Sequence, residues 1–148
     1  MSYTQSLYHA ILRTKSNKLT LSLQHSDELY RYIWGVMKNK KCVLHRINGT
    51  EDHIHILFSL HSTIALADFM RDLKVETSKM LKNTAGFEKF TSWSRGYGAL
   101  SCDFKNKSIV ANYIKNQREH HKNVSFRAEF VRYLKDVGAE LDERDWNE

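Results

Sequence analysis

With 148 residues, 41% of them hydrophobic, the chain is long enough to bury one real core and too short for two ordinary domains, so a single domain over residues 1–148 is expected. No apolar run approaches the roughly 18 residues of a membrane span, and the N-terminus MSYTQSLYHA has no basic stretch leading into an apolar one; the reading is a soluble, cytoplasmic protein with no membrane partner. The net charge of +6 hides an asymmetry, because residues 129–148 carry seven acids against three bases and the rest of the chain is therefore +10, a surface that attracts polyphosphates through counterion release.

Along the chain, QSLYHAILRT (5–14) sets Leu7, His9, Ile11 and Arg13 against Tyr8, Ala10 and Leu12, the period of a strand. LTLSLQ (19–24) reads as a short second strand. From Ser26-Asp27 the period changes to that of a helix, with Leu29, Tyr30, Ile33, Trp34 and Met37 at three- and four-residue spacing as far as about Asn39. KCVLHRING (41–49) and HIHILFSL (53–60) follow as a hairpin across a short polar link with Gly49. A second helix is expected from Thr63 to about Lys82, then a loop through Gly86, Gly96 and Gly98 leading into a further strand in GYGALSCDF. Residues 106–123 read as one helix, and Ser125 to Val137 as a last helix ended by Gly138.

Hairpins mixed with helices, without regular βαβ alternation, predict an α+β fold in which helices cover one face of an antiparallel sheet. Cys42 and Cys102 lie in apolar surroundings with no CxxC and no third partner, and read as reduced packing residues.

Three features could carry chemistry. In EDHIHILFSL (51–60) the pleat turns His53 and His55 to one face, about 6.6 Å apart along the backbone, and Ile54, Ile56, Phe58 and Leu60 to the other. Two such imidazoles can share a divalent cation, although a His-apolar-His triplet arises by chance in roughly one chain in seven of this composition and fits two solvated histidines equally well. In NYIKNQ, Tyr113 and Gln117 stand four apart and share a helix face, which presents a phenol beside an amide or simply marks the edge of a buried stripe. Bases crowd this segment: Lys105 to Arg127 holds six bases and one acid, and residues 31–46 add five more with no acid. Taken together, two histidines and a neutral third ligand would hold a metal against a scissile phosphate while a tyrosine hydroxyl attacks phosphorus.

EDHIHILFSL, GYGALSCDF and NYIKNQREHHKN, with QSLYHAILRTK and LYRYIWGVMKNKKCVLHRING before them, resemble the single-tyrosine HUH transposases of the insertion-sequence 200/605 type over essentially the whole chain, most of all the small insertion-sequence 200 group. That resemblance implies His53 and His55 as metal ligands, Gln117 as the third ligand and Tyr113 as the nucleophile. It further implies Mg²⁺ or Mn²⁺, and cleavage and rejoining of single-stranded DNA at hairpin-bearing insertion-sequence ends through a 5′-phosphotyrosine and a free 3′-OH. An RRM-like, ferredoxin-like sheet is implied too, in a homodimer whose tyrosine helix is exchanged between protomers. Arg13, Lys15, Arg46, Lys115 and Arg118 are the candidate DNA contacts. Two other readings compete: a non-catalytic RRM-like module for single-stranded nucleic acid that uses Tyr8 or Tyr97 as stacking platforms, and a domesticated relative that retains only cleavage.

Overall fold

The computed structural model describes residues 3–120, 124–136, 138–142 and 144. Four antiparallel strands, β1 (Leu7–Arg13), β2 (Val43–Gly49), β3 (His53–Ser59) and β4 (Gly98–Cys102), form one sheet in the order β2-β3-β1-β4. The helices are α1 (Ser26–Asn39), α2 (Leu66–Lys82), α3 (Lys107–Lys115), α4 (Gln117–His120) and α5 (Phe126–Asp136).

One face of the sheet is apolar because the period-2 pattern of β1 and β3 makes it so. Ala10, Leu12, Ile54, Ile56 and Phe58 point there and meet Leu29, Ile33, Val36 and Met37 of α1 and Phe69, Met70, Leu73 and Leu81 of α2. Phe58 and Phe69 stack with centroids 4.8 Å apart at the centre of this cluster. A threonine inside α2 is tolerated there because Thr77 donates to the Leu73 carbonyl at 2.7 Å and accepts from Trp93 Nε1 at 2.9 Å.

The opposite face carries Leu7, His9, Ile11, His53, His55 and Leu57, and it too lies under helices. Val110 and Ile114 of α3 pack on Leu7 and Leu57, while Phe126, Phe130 and Leu134 of α5 pack on Ile11. The α+β antiparallel architecture is as expected from the sequence; the helices, however, divide between the two faces, α1 and α2 on one and α3 and α5 on the other.

A bulge in β2 places the residues that matter. Leu44 pairs with Phe58 but Arg46 with Leu57, so His45 is extra, and everything beyond it shifts by one. Ile47 therefore stands opposite Ile56 on the apolar face and Asn48 opposite His55 on the histidine face; without the bulge they would trade sides. At the end of β2, a Cβ on Gly49 would run into the His53 carbonyl and lie 2.8 Å from Ile54 Cα, so only glycine lets the two strands close here.

LTLSLQ is not a strand. Only Leu21 enters the core, while Leu19 and Leu23 stay exposed, and the segment is pinned by the Thr20 and Leu21 amides donating to the Glu51 carbonyl rather than by a ladder. The helix expected over 106–123 is broken at Asn116, and its continuation past His120 to 123 lies outside the described residues. The break has a visible cause: Asn48 Nδ2 donates to the carbonyls of Ile114 (3.2 Å) and Lys115 (3.0 Å), which a continuous helix would give to the amides of residues 118 and 119. Helix α5 ends where Gly138 adopts φ +80 and the Ala139 amide turns back to the Leu134 carbonyl at 2.7 Å, with Val137 outside the described residues.

Candidate active site

The histidine face brings together residues from five elements. His53 and His55 of β3 are fully buried, with ring centroids 5.0 Å apart and planes 84° apart, so neither is the solvated strand histidine that composition alone would allow. Asp52 and Thr50, in the tight link between β2 and β3, hold His53 from behind: its Nδ1 lies 2.7 Å from Asp52 Oδ1 and 2.9 Å from Thr50 Oγ1. A carboxylate on Nδ1 keeps a proton there and directs Nε2 forward. His55 is held by His9 of β1, whose Nε2 lies 2.8 Å from His55 Nδ1, a diagonal cross-strand pair; His9 Nδ1 in turn lies 2.9 Å from the Tyr133 hydroxyl of α5. Burial pushes His9 down from 6.5 to about 3, so it stays neutral.

Tyr113 and Gln117 arrive on α3 and α4 of the same chain. Gln117 is fully buried, donates from Nε2 to the Tyr113 carbonyl at 3.3 Å, and so turns Oε1 towards His53 Nε2, 3.4 Å away. The Tyr113 ring is edge-on to His55 with centroids 5.6 Å apart. The anchoring of α3 by Asn48, directly opposite His55, fixes the phenol's distance from the histidines. Burial holds the Tyr113 phenol well above its ordinary value, and the carboxylate of Glu129 and the neighbouring Tyr133 push the same way, against a hydrogen bond with Gln117.

Helix α5 roofs this arrangement. Phe126 lies flat on His53, centroids 3.6 Å apart and planes within 7°, and edge-on to His55. Tyr133 stacks on Tyr113 at 4.4 Å. Beside the roof opens a cavity of about 290 Å³ whose lining includes Arg13, Arg95, Tyr97, Phe126, Glu140 and Asp142, so a basic strand end faces an acidic stretch after α5.

The donors fit a divalent cation. With its Nδ1 proton given to Asp52, a neutral His53 has a lone pair on Nε2, facing the lone pairs of Gln117 Oε1 at 3.4 Å; two acceptors at that distance repel unless a proton or a cation stands between them. Two neutral imidazoles and an amide oxygen suit such an ion without cancelling its charge. Among the described residues there is no cluster of three His, Cys, Asp or Glu side chains that could hold a metal; a cation beside His53 and His55 would need a third donor of another kind, such as an amide oxygen.

The remaining candidates divide. Arg13 is half-buried and paired with His53 across β1 and β3, while Lys15, Arg46 and Lys115 are exposed, Arg46 on the histidine face at the β2 edge. Arg118 is committed to structure: its guanidinium donates to the Gly49 carbonyl (3.3 Å) and to Ser26 Oγ (3.0 Å), tying α4 to the hairpin and to α1. Tyr8 packs on Phe58 on the apolar face and offers no stacking platform, whereas Tyr97 is exposed. Cys42 and Cys102 are free thiols, Cys42 within the core. No helix among the described residues is long and apolar enough to cross a membrane. His9, Asn48, Asp52, Glu129, Phe126 and Tyr133 escaped sequence reasoning as site residues; only His9, on the same strand face as Ile11 and Arg13, carried a local signal.

A family model described as "Transposase IS200 like" matches residues 2–117, ending at Gln117 and short of α5. The transposase for insertion sequence element IS200 of Salmonella typhimurium is 36% identical over 76 residues, 48% of this chain and 49% of the relative, and that of Salmonella typhi matches equally. The chain thus spans about half the length of the curated relatives it matches. Among solved structures, a Deinococcus radiodurans protein assigned as a transposase superposes with a TM-score of 0.59 at 20% identity, over 78% of this chain and 93% of that one. A REP-associated tyrosine transposase bound to a REP hairpin gives a TM-score of 0.64 at 12% identity, over 84% of this chain and 73% of that one. These two share the fold.

Proposed function

This chain belongs to the IS200-like transposase family, and we propose that it cleaves and rejoins single-stranded DNA through a tyrosine–phosphate ester, with Tyr113 as nucleophile and His53, His55 and Gln117 as the ligands of a divalent cation, Mg²⁺ or Mn²⁺. The observation that carries the reading is the convergence of Tyr113 and Gln117 on the two buried histidines within one chain, each histidine backed by a partner on Nδ1. The bound cation would polarise the scissile phosphate and stabilise the charge that builds on it.

Gln117 and the histidines would hold that cation, and through it the phosphate, in front of the phenol. Tyr113 Oη attacks phosphorus as its proton leaves, the bond from phosphorus to the 3′ oxygen breaks, and the leaving oxygen takes up a proton to become a free 3′-OH. Rejoining runs the same step backwards with a new 3′-OH. The high proton affinity of the buried phenol means the resting tyrosine is protonated; loss of the Glu129 carboxylate from its side and approach of a cation would both ease ionisation. Phe126 on His53 and Tyr133 on Tyr113 occupy the approach, so α5 has to shift before a phosphate can touch both groups. The DNA substrate would carry a hairpin, as the DNA bound by the REP-associated relative does, with Arg13, Lys15, Arg46 and Lys115 on its phosphates.

A homodimer with exchanged tyrosine helices would rebuild the same site from two chains; light scattering on the free protein reports whether it forms. The test of the chemistry is incubation with hairpin-bearing single-stranded DNA and Mg²⁺. A covalent adduct should form, vanish in EDTA and be absent from Tyr113→Phe. An adduct formed by Tyr113→Phe rejects the assignment, and DNA binding indifferent to metal and to His53→Ala would favour a non-catalytic module.

A further inference from the structure

The two candidate ligand histidines are backed differently. Behind His53 stand a carboxylate and a hydroxyl; behind His55 Nδ1 stands another imidazole, His9, fully buried on β1 and 2.8 Å away, which itself meets Tyr133 at 2.9 Å. A chain of neutral imidazoles can be protonated in two ways. In the first, His55 Nδ1–H donates to His9 Nε2, His9 Nδ1–H donates to the Tyr133 oxygen, and His55 Nε2 keeps its lone pair. In the second, the Tyr133 hydroxyl donates to His9 Nδ1, His9 Nε2–H donates to His55 Nδ1, and the proton of His55 sits on Nε2, where no metal can bind.

We propose that His9 is a positioning residue that holds His55 in the Nδ1–H tautomer and fixes its ring plane, so that Nε2 is presented to the cation alongside His53 and Gln117. The inference rests on the reading that His53 and His55 hold a divalent cation, and it assigns to a neutral imidazole the role that Asp52 plays for His53. The geometry suits it: His9 sits on a central strand, paired with both β3 and β4, so it cannot drift with α5 or with the β2–β3 link. Its ring lies 5.1 Å from that of His55 and 34° from parallel, close enough to lock the ring by contact as well as by hydrogen bond. Because the far end of the relay is Tyr133 on α5, the roof and the ligand tautomer are connected through His9.

The experiment is Mn²⁺ titration of the full chain and of two variants, with thermal melting to verify folding and nitrogen-detected histidine NMR on the chelated wild-type protein. His9→Leu removes the acceptor and should weaken Mn²⁺ binding about 10–100-fold. His9→Gln, whose amide oxygen reaches about as far as Nε2, should recover most of that loss, and the NMR spectrum should show His55 protonated on Nδ1. Folded His9→Leu that binds Mn²⁺ as tightly as wild type, or a His55 proton on Nε2, overturns the proposal. Should His9→Leu fail to fold, the wild-type tautomer decides. If wild-type protein binds no Mn²⁺ at all, the cation reading itself fails, and a proton on Nδ1 or Nε2 still separates a positioned His55 from an unpositioned one.

Discussion

On one face of the sheet Ala10, Leu12, Ile54, Ile56 and Phe58 are buried under α1 and α2; on the other, His9, His53 and His55 are buried just as completely under α3, α4 and α5. Filling the first face takes only volume and hydrocarbon, and its stability comes from area removed from water. Burying three imidazoles takes hydrogen-bond partners, and the chain supplies Asp52, Thr50, His9, Tyr133 and Gln117 from three different elements and a link. Such a network adds less to stability than the apolar face does, and its construction makes sense as preparation for an ion and a phosphate.

That difference predicts opposite outcomes for substitutions on the two faces. The largest effect should come from Tyr113→Phe, which removes the proposed nucleophile: adduct formation with hairpin DNA should fall to background, while melting moves by no more than about 1 kcal/mol, the size of one hydrogen bond. Phe58→Ala is the mirror experiment, costing about 3–5 kcal/mol of stability in denaturant unfolding and reducing activity only in proportion to the unfolded fraction.

Acid should separate the faces too. Burial lowers His9 from 6.5 to about 3, so below about 6.5 the unfolded chain takes up a proton that the folded chain refuses. This contribution to stability is complete above 6.5 and lost as pH falls towards about 3, by an amount on the order of a few kcal/mol, in urea titrations of the chelated protein. His9→Gln should flatten that slope while leaving the apolar face untouched. A smaller effect is expected from Asp52→Asn, which takes the carboxylate from His53 and should weaken Mn²⁺ binding by about 10-fold with little change in melting. Smallest is Lys115→Ala, which should reduce the salt dependence of DNA binding by about one phosphate contact, uniformly over sequences.

The apolar face was almost fully legible in the sequence, because Leu29, Ile33 and Met37, and likewise Ile54, Ile56 and Phe58, repeat at the helix and strand periods that local sterics impose. The strand expected at LTLSLQ failed because period-2 alternation there buries only Leu21 against the core, with no ladder partner to complete a strand. On the histidine face, His53, His55, Tyr113 and Gln117 stood out by spacing, but their supports did not. Asn48 reaches the Ile114 carbonyl across 66 residues where the helix breaks, and nothing near Asn116 announces it. His9 reaches His55 across 46 residues and Tyr133 across 124, distances that only the folded sheet closes. The apolar stripe of α5 announced that it would be buried, not that it would lie on a histidine.

On the proposed reading, the histidine face is built to hold a cation rather than to hold the fold together. His55→Ala tests it most directly, with Mn²⁺ binding and thermal unfolding followed on the same sample. Mn²⁺ affinity should fall at least about 10-fold while the protein still unfolds cooperatively. A folded His55→Ala protein that binds Mn²⁺ as wild type does would contradict it.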